Sequence, residues 1–459
     1  MMSNDAHNRE LFEQMPIPKA SAKLMAPTIA GSLVMILYSL TDTYFVSLPG
    51  DPIQSAAVAL AAPVLLAFNA ANNLFGIGSS GAMSRALGRK DFDAVRKSAS
   101  VGIYGALALA VFISLLCALF PGSLVKALGA DAETSGVTLA YLRWTVTFGA
   151  VPAIMNVVFA YLVRAEGAAL HAGLGTMSGC ILNMILDPFF ILPWGLNMGA
   201  EGAGLATFLS GCFASVYFII MLLIRRDKTM IRLHPKYFRP ERRLLKEIFG
   251  VGVPAAIQNL LNVIGMTILN NCVTVYGTAA VAAMGIARKI YMVPMQVVLG
   301  ASQGIMPLIG YNYGCRNTER FRETIFFTMK LAVSSMVVLT AACLVWSAPL
   351  IRLFMDDAEV VRYGTQFLCA LALSLPFMVV DFQTVGVMQS VGRGSTSLLM
   401  AITRKIVLEI PAIVLLDRLF LASGIAYSAL VAELIMCLMG MAVLWRLFRE
   451  LGWCRRKQP

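Results

Sequence analysis

The stretch RRDKTMIRLHPKYFRPERRLLK, residues 225–246, carries nine Lys and Arg residues and falls almost at the middle of the 459-residue chain. On either side of it the chain is a succession of apolar runs of about 20 residues or more, the length that crosses the hydrocarbon core of a bilayer as a helix. Apolar residues make up 58% of the chain and charged residues 14%, against about 25% charged in ordinary globular domains. The polar residues are bunched between the runs. These features predict an all-α polytopic membrane protein, because a backbone in lipid must satisfy its hydrogen bonds within its own segment. The alternation of an outer-membrane barrel is absent.

Outward from the basic loop, six spans are expected before it: 24–48, 53–82, 95–120, 137–162, 172–194 and 200–224. Six follow it: 249–275, 279–311, 323–346, 364–390, 396–416 and 420–446. The expected organisation is a first six-helix lobe over 1–225, a basic cytoplasmic linker over 226–245 and a second lobe over 246–459. The net charge of +12 raises the question of nucleic acid. Sorted by loop, however, Lys and Arg alternate between a rich side and a poor one. The rich side includes the loops 85–97, 225–246 and 316–330, together with Arg393, Arg404 and Lys405. The poor side holds Lys126, Arg143, Arg352, Arg362 and Arg418. This asymmetry places both termini in the cytoplasm and makes the basic loop a topology anchor. No nucleic-acid partner is expected.

The halves resemble each other at a common lag of about 225 residues, and it is the shared spacing of several weak similarities that marks the duplication. GIGSSGAMSRALGRKD (76–91) answers to GASQGIMPLIGYNYGCRN (300–317), so that Gly78 and Gly88 pair with Gly304 and Gly314. An even number of spans in each half gives both halves one orientation. The two lobes are then related by a pseudo-twofold axis along the membrane normal, an arrangement of transporters whose substrate binds at the repeat interface. The chain contains no Gly-Lys dipeptide and so no Walker A motif, which leaves an ion gradient or a partner ATPase as the driving force. Gly300-Ala301-Ser302-Gln303-Gly304 fits GxSxG, but it lies in a membrane helix with no His placed to serve, so no enzyme is expected. The nine cysteines form no CxxC pair, and His7, His171 and His234 lie outside the centres of the apolar runs. No cofactor or metal is expected.

An ionisable group inside a span costs about 2.5–3.5 kcal/mol to insert and marks function by default. Asp42, Asp187, Asp381, Glu409 and Glu433 qualify. Asp42 in the first span, Asp187 in the fifth and Thr207 in the sixth fall at one depth. Tyr38 and Asn183 each precede a carboxylate by four residues and share its helix face. Such a cluster can hold a proton, because two close carboxylates in low dielectric do not both ionise cheaply. It could equally coordinate Na⁺, and a structural polar network is the competing reading. Pro27 in the first span is a candidate hinge. In the second half, Arg288 and Lys289 join Asp381, Glu409 and Glu433, and pairing among these charges is expected.

The chain resembles the multidrug and toxic compound extrusion (MATE) family. The resemblance rests on Pro27, LYSLTDTYFV (37–46), GAMSRALGRKD (81–91), RAEGAAL (164–170), NMILDPFFI (183–191) and GAEGAGLAT (199–207), with GVGVPAAIQ (250–258) and SQGIMPLIGYNYG (302–314) in the second half. RAEG followed by NxxLDPxF looks most like the bacterial multidrug-exporter branch. The resemblance implies a two-lobed antiporter of the inner (cytoplasmic) membrane, expected as a monomer. It would export organic cations or other amphipathic compounds in exchange for H⁺ or Na⁺. It implies that Asp42, Tyr38, Asn183, Asp187 and Thr207 form the ion-coupling set and that Pro27 bends the first span. Some members carry a Glu in span seven; here Gln258, Asn259 and Asn262 stand instead, although Asp381 matches the family's span-ten acid. A flippase for lipid-linked intermediates and a major-facilitator transporter are the alternative readings, and a channel or receptor is the non-transporter class.

Overall fold

A computed structural model describes residues 9–452. His7, Cys454 and the tail residues Arg455, Arg456 and Lys457 lie outside them. The first lobe contains α1 (Ile17–Ser47), α2 (Pro52–Gly88), α3 (Phe92–Leu119), α4 (Thr134–Phe148 and Ala150–Ala165), α5 (Ala169–Ile191) and α6 (Ala200–Ile224). The second contains α7 (Arg242–Thr274), α8 (Thr278–Gly314), α9 (Thr318–Val345) and α10 (Ala358–Ser390). The final 57 helical residues, Gly394–Glu450, would reach about 85 Å if straight, far more than a bilayer of roughly 30 Å. They break at Leu421, whose φ of 55° no helix tolerates. The chain folds back there, bringing Glu433 against Arg404, so 394–420 and 422–450 are two spans, α11 and α12. The α4 span is bent by 49° around Gly149.

Twelve spans are therefore present among the described residues, and their ends run past the apolar windows at the basic face. Thus α7 begins at Arg242, not 249, and residues 242–245 of the basic segment are its first helical turn. A hydropathy pattern registers only the lipid-embedded part of a helix whose end projects into water.

Local chemistry sets the helix starts. Asp51 accepts from Ile53 N ahead of Pro52, and Asp91 accepts from Ala94 N ahead of α3. Asn317 does the same for α9 by accepting from Arg320 N. These side chains satisfy backbone donors that a helix leaves open at its N-terminus. Asp91 and Asn317 are repeat equivalents, and the residue before each, Lys90 and Arg316, has φ of 59°. The internal duplication is thus visible in backbone conformation as well as in sequence.

The lobes meet at their basic-face ends. Gly88 at the end of α2 packs on α8, where an added Cβ would overlap Tyr311 O and lie 3.0 Å from Gly314 Cα. Further along, Gly304 and Gly300 of α8 admit Met25 and Ile29 of α1 to within 2.8 and 2.9 Å of where a Cβ would stand. The GxSxG match is thus a packing stripe, and its Ser302 hydroxyl donates to Phe382 O. Arg85 of α2 is buried in the seam. It donates to Ser390 O at 3.1 Å and pairs with Glu247 of α7 at 3.5 Å.

Overpacking a close contact of this kind costs about 1–3 kcal/mol. Gly88→Val is therefore expected to lower the thermal midpoint of the detergent-purified protein. Gly122→Val, where nothing lies within 4 Å, leaves the midpoint within error. Equal midpoints for the two variants would contradict the close seam.

Candidate functional site

The first-lobe cluster is assembled from α1, α5 and α6. Gly173 makes this possible: an added Cβ would stand 2.8 Å from Pro27 O, so α5 packs directly on the α1 backbone. One i,i+4 step on each helix then turns Tyr38 with Asp42, and Asn183 with Asp187, toward a common point. Asp187 is fully buried and Asn183 is 1% exposed. The Asn183 amide oriented with nitrogen toward Asp187 donates to Oδ2 at 2.9 Å and Oδ1 at 3.2 Å, while its oxygen accepts from Thr207 N at 3.1 Å. The Tyr38 hydroxyl reaches the Thr207 hydroxyl. Asp42 lies within electrostatic range of Asp187, and its Oδ1 is buried with no hydrogen-bond partner. All five residues expected here come together.

Sequence reasoning missed Tyr141. This buried phenol of α4 sits in the field of both Asp42 and Asp187. Its only sequence signal was a tyrosine within an apolar run, which is ordinary core composition. Pro27 lies inside α1, which is one uninterrupted helix of 31 residues.

The second-lobe candidates distribute differently from expectation. Asp381 is buried and pairs with Arg404 Nε at 3.5 Å, while Arg404 Nη1 approaches Glu433 Oε1 at 3.5 Å. Arg404 Nη2 also donates to Asn262 at 2.8 Å, and the guanidinium lies over the Phe382 ring at 4.6 Å. Lys405 pairs with Glu409 at 2.6 Å. Arg404 and Lys405, grouped above with the cytoplasmic charges, are thus interior residues of the lobe. They lie in a π-helical segment, Thr403–Glu409, whose widened register rotates them inward.

Arg288 and Lys289 are not the counter-charges of Asp381. Arg288 instead donates to Asn270 at 3.0 Å. Gln258 accepts from Gln389 at 3.3 Å, beside the network and outside it. Among the described residues, neither Asn259 nor Lys289 joins the network by a hydrogen bond or ion pair. The physical reason is reach: Arg404 lies between α10 and α12, where both carboxylates point, while Arg288 extends toward α7.

A family model, MatE, matches residues 27–200 and 254–415, one match in each lobe. The chain belongs to the MATE family. The two matches begin at Pro27 and Pro254, the corresponding prolines of α1 and α7. Among curated proteins, a multidrug export protein MepA of Staphylococcus saprophyticus is 32% identical over 95% of each chain. A MepA of Staphylococcus aureus is 30% identical over 95% of each. Among solved structures, the outward-facing conformation of a multidrug resistance MATE transporter of the MOP superfamily superposes with a TM-score of 0.90. It shows 27% identity and covers 96% of this chain and 98% of that one. Structures of a MATE described as straight and bent superpose at 0.89 and 0.86. These similarities establish the twelve-helix MATE fold and a multidrug efflux transporter.

Removing one partner of a buried ion pair costs about 3–5 kcal/mol, because the other charge is left unpaired. Arg404→Met is accordingly expected to depress the thermal midpoint in detergent more than any loop arginine does. The triple variant Arg404→Met, Asp381→Leu, Glu433→Leu should recover most of the loss. A midpoint for Arg404→Met equal to that of Arg239→Met would remove the network from the stability of the lobe.

Proposed function

We propose that this chain is a cation-coupled secondary antiporter that exports organic cations and other amphipathic compounds by alternating access, as a multidrug exporter of the MATE family. Its place is the inner (cytoplasmic) membrane, as a monomer, with the basic face and both termini in the cytoplasm. The charge asymmetry of the loops supports that orientation. In this orientation the lobes are shut at their cytoplasmic ends, where Gly88 meets Gly314.

The observation that carries the coupling assignment is the Asp42–Asn183–Asp187 arrangement. Export against a gradient needs a site whose ion occupancy is coupled to substrate binding. Asn183 donates to both oxygens of Asp187 and takes up two of its roughly four lone-pair sites, leaving fewer for a sodium ion. Asp42 keeps a buried oxygen without a donor. A bare carboxylate next to a second one, at low dielectric, gains most from taking up a proton. The favoured coupling ion is therefore H⁺ at Asp42, and Na⁺ is the alternative.

Protonation of Asp42 and approach of an organic cation to it are then competing ways to neutralise one site, which gives the coupling that antiport needs. Pro27 is proposed as the point where α1 bends as the carboxylates change charge. It lacks the N–H of a normal helical residue, so bending there breaks one hydrogen bond fewer.

In proteoliposomes loaded with a cationic dye, an imposed H⁺ gradient is expected to drive transport and an Na⁺ gradient at constant pH is not. Equal flux under Na⁺ alone would reverse the ion assignment. Asp42→Asn should reduce gradient-driven flux to the level of empty liposomes while leaving yield and monodispersity unchanged. Asp187→Asn should shift the pH dependence of flux. Wild-type flux in Asp42→Asn would sink the coupling site.

A further inference from the structure

The two lobes touch chiefly through α1 and α2 on one side and α7 and α8 on the other. The membrane-embedded parts of these four helices carry few charges. Beyond Lys23, α1 has Asp42 alone, and α2 has none before Arg85 at its cytoplasmic end. Past Glu247, α7 has no Asp or Glu, and α8 has none at all; their charges there are Arg288 and Lys289. Neither is an ion-pair partner in the second-lobe network. A lysine inside a span is rare, and where one occurs it faces the bundle interior or a water-filled cavity.

Helix geometry fixes the direction of Lys289. The face of α8 turned to the first lobe is marked by its contacts. Gly300 and Gly304 meet α1, Gln303 meets Arg164, and Gly314 lies against Arg85. Lys289 precedes Gly300 by 11 residues, Gln303 by 14 and Gly314 by 25, which is about three, four and seven turns of an α-helix. It therefore stands on the same face, and α8 runs without a break from Thr278 to Gly314. In the cytoplasmic half this face is covered: Gly300, Gly304 and Gly310 are buried. Further out it is open. Val293, Lys289 and Gly285 are exposed, and nothing lies within 4 Å of where a Gly285 Cβ would stand.

The neighbouring helices open in the same way. On α1, Met25 and Ile29 meet α8, whereas Ser39 and Thr43, about four and five turns beyond Met25, are exposed. On α7, Gly252 packs on Leu74 of α2. Asn270, five turns further out, is exposed and accepts from Arg288 Nη1 at 3.0 Å. The lobes are thus joined at the cytoplasmic end and parted by a cleft toward the outside, with Lys289 on the second-lobe wall. The register gives its depth. α1 and α8 run antiparallel, with Gly304 beside Met25 and Gly300 beside Ile29. Continued outward, Lys289 comes level with Leu40, between Tyr38 and Asp42. Asp42, next to the exposed Thr43, is half-buried in the opposite wall. Among the described residues Lys289 has neither an ion pair nor a hydrogen bond.

We propose that Lys289 is a specificity-determining residue of the substrate cleft, whose ammonium pairs with a carboxylate on an amphipathic zwitterion while the cationic end of that substrate lies toward Asp42. This rests on the exporter reading above and names one class among its amphipathic substrates. A substrate that is only cationic meets one attractive wall and one repulsive wall. A zwitterion of matching span meets two attractive ones, and discrimination comes from both the added pair and the removed repulsion. Hydrogen bonds between ionised groups are roughly twice as strong as neutral ones. Lysine suits a cleft that admits varied shapes, because its charge is a point on a flexible stem and needs no fixed bidentate geometry. In an open, wet cleft such a pair sets a selectivity factor and not an absolute requirement.

Dye binding to the purified full-length transporter in detergent at neutral pH, read by fluorescence anisotropy, tests the pairing. Rhodamine B and its ethyl ester share one cationic ring system, and only the first has a free carboxylate. The extra apolar surface of the ester is the same for every variant and cancels between them. In Lys289→Met the ratio of the rhodamine B Kd to the ester Kd should rise about tenfold over wild type, the scale of one charge-assisted hydrogen bond. Lys289→Glu should raise it further, and Lys289→Arg should hold it within about threefold of wild type. Lys289→Gln should behave as Lys289→Met and covers the case in which the latter does not purify as a folded species. A ratio unchanged in Lys289→Met or Lys289→Gln overturns the proposal, as does a wild type that binds the ester and not rhodamine B. Asp42→Asn should weaken both dyes by a similar factor, since both carry the cation. Unchanged binding of both dyes there sinks the role of Asp42, and the Lys289→Met ratio still decides the pairing. A wild type that binds neither dye removes the exporter reading and the pairing with it.

Discussion

A charge inside a bilayer must be matched by something the protein itself supplies, because no water is present to do it. The interior chemistry of this transporter follows from that constraint. In the second lobe, Arg404 supplies the match for Asp381 and Glu433, and Lys405 supplies it for Glu409. In the first lobe no Lys or Arg is paired with Asp42 or Asp187 among the described residues. An amide covers Asp187, and Asp42 has an oxygen left over. The two lobes share a fold and handle buried charge differently: the second sets Arg404 and Lys405 against the three carboxylates Asp381, Glu409 and Glu433, while the first has no such cation beside its two among the described residues.

The duplication shows how far ancestry and chemistry can separate. Turn conformation, helix caps and prolines correspond across the halves. Lys90 and Arg316 share a left-handed φ, and Asp91 and Asn317 share a capping role. These features serve the backbone and are insensitive to what the lobe binds. The polar interiors have no such correspondence: Asp42 and Asp187 lie among an amide and hydroxyls, whereas Asp381 and Glu433 face Arg404.

Glycine and proline shape the mechanics. Close packing of α8 on α1 at Gly300 and Gly304, and of α2 on α8 at Gly88, produces a seam of backbone against backbone at one end of the molecule. Small residues are the usual means of bringing membrane helices together, since lipid tails provide no hydrophobic drive for association. A seam built this way can part without exposing large side chains.

The sequence by itself determined the spans, the repeat and the first-lobe cluster. Hydropathy over about 20 residues reflects a bilayer constraint that acts on each segment independently of tertiary contacts. Asp42 with Tyr38, and Asp187 with Asn183, were legible because i,i+4 geometry is local to one helix. Their depth followed from counting residues along helices of known direction. Only the tertiary structure decided which helix faces which. Arg404, grouped by sequence with loop charges, proved to be the counter-ion of Asp381, because a π-helical turn is not encoded in hydropathy. Tyr141 was invisible for the same reason, since its neighbours come from helices distant in the chain. Contacts between different helices arise from packing, and a linear pattern carries no record of them.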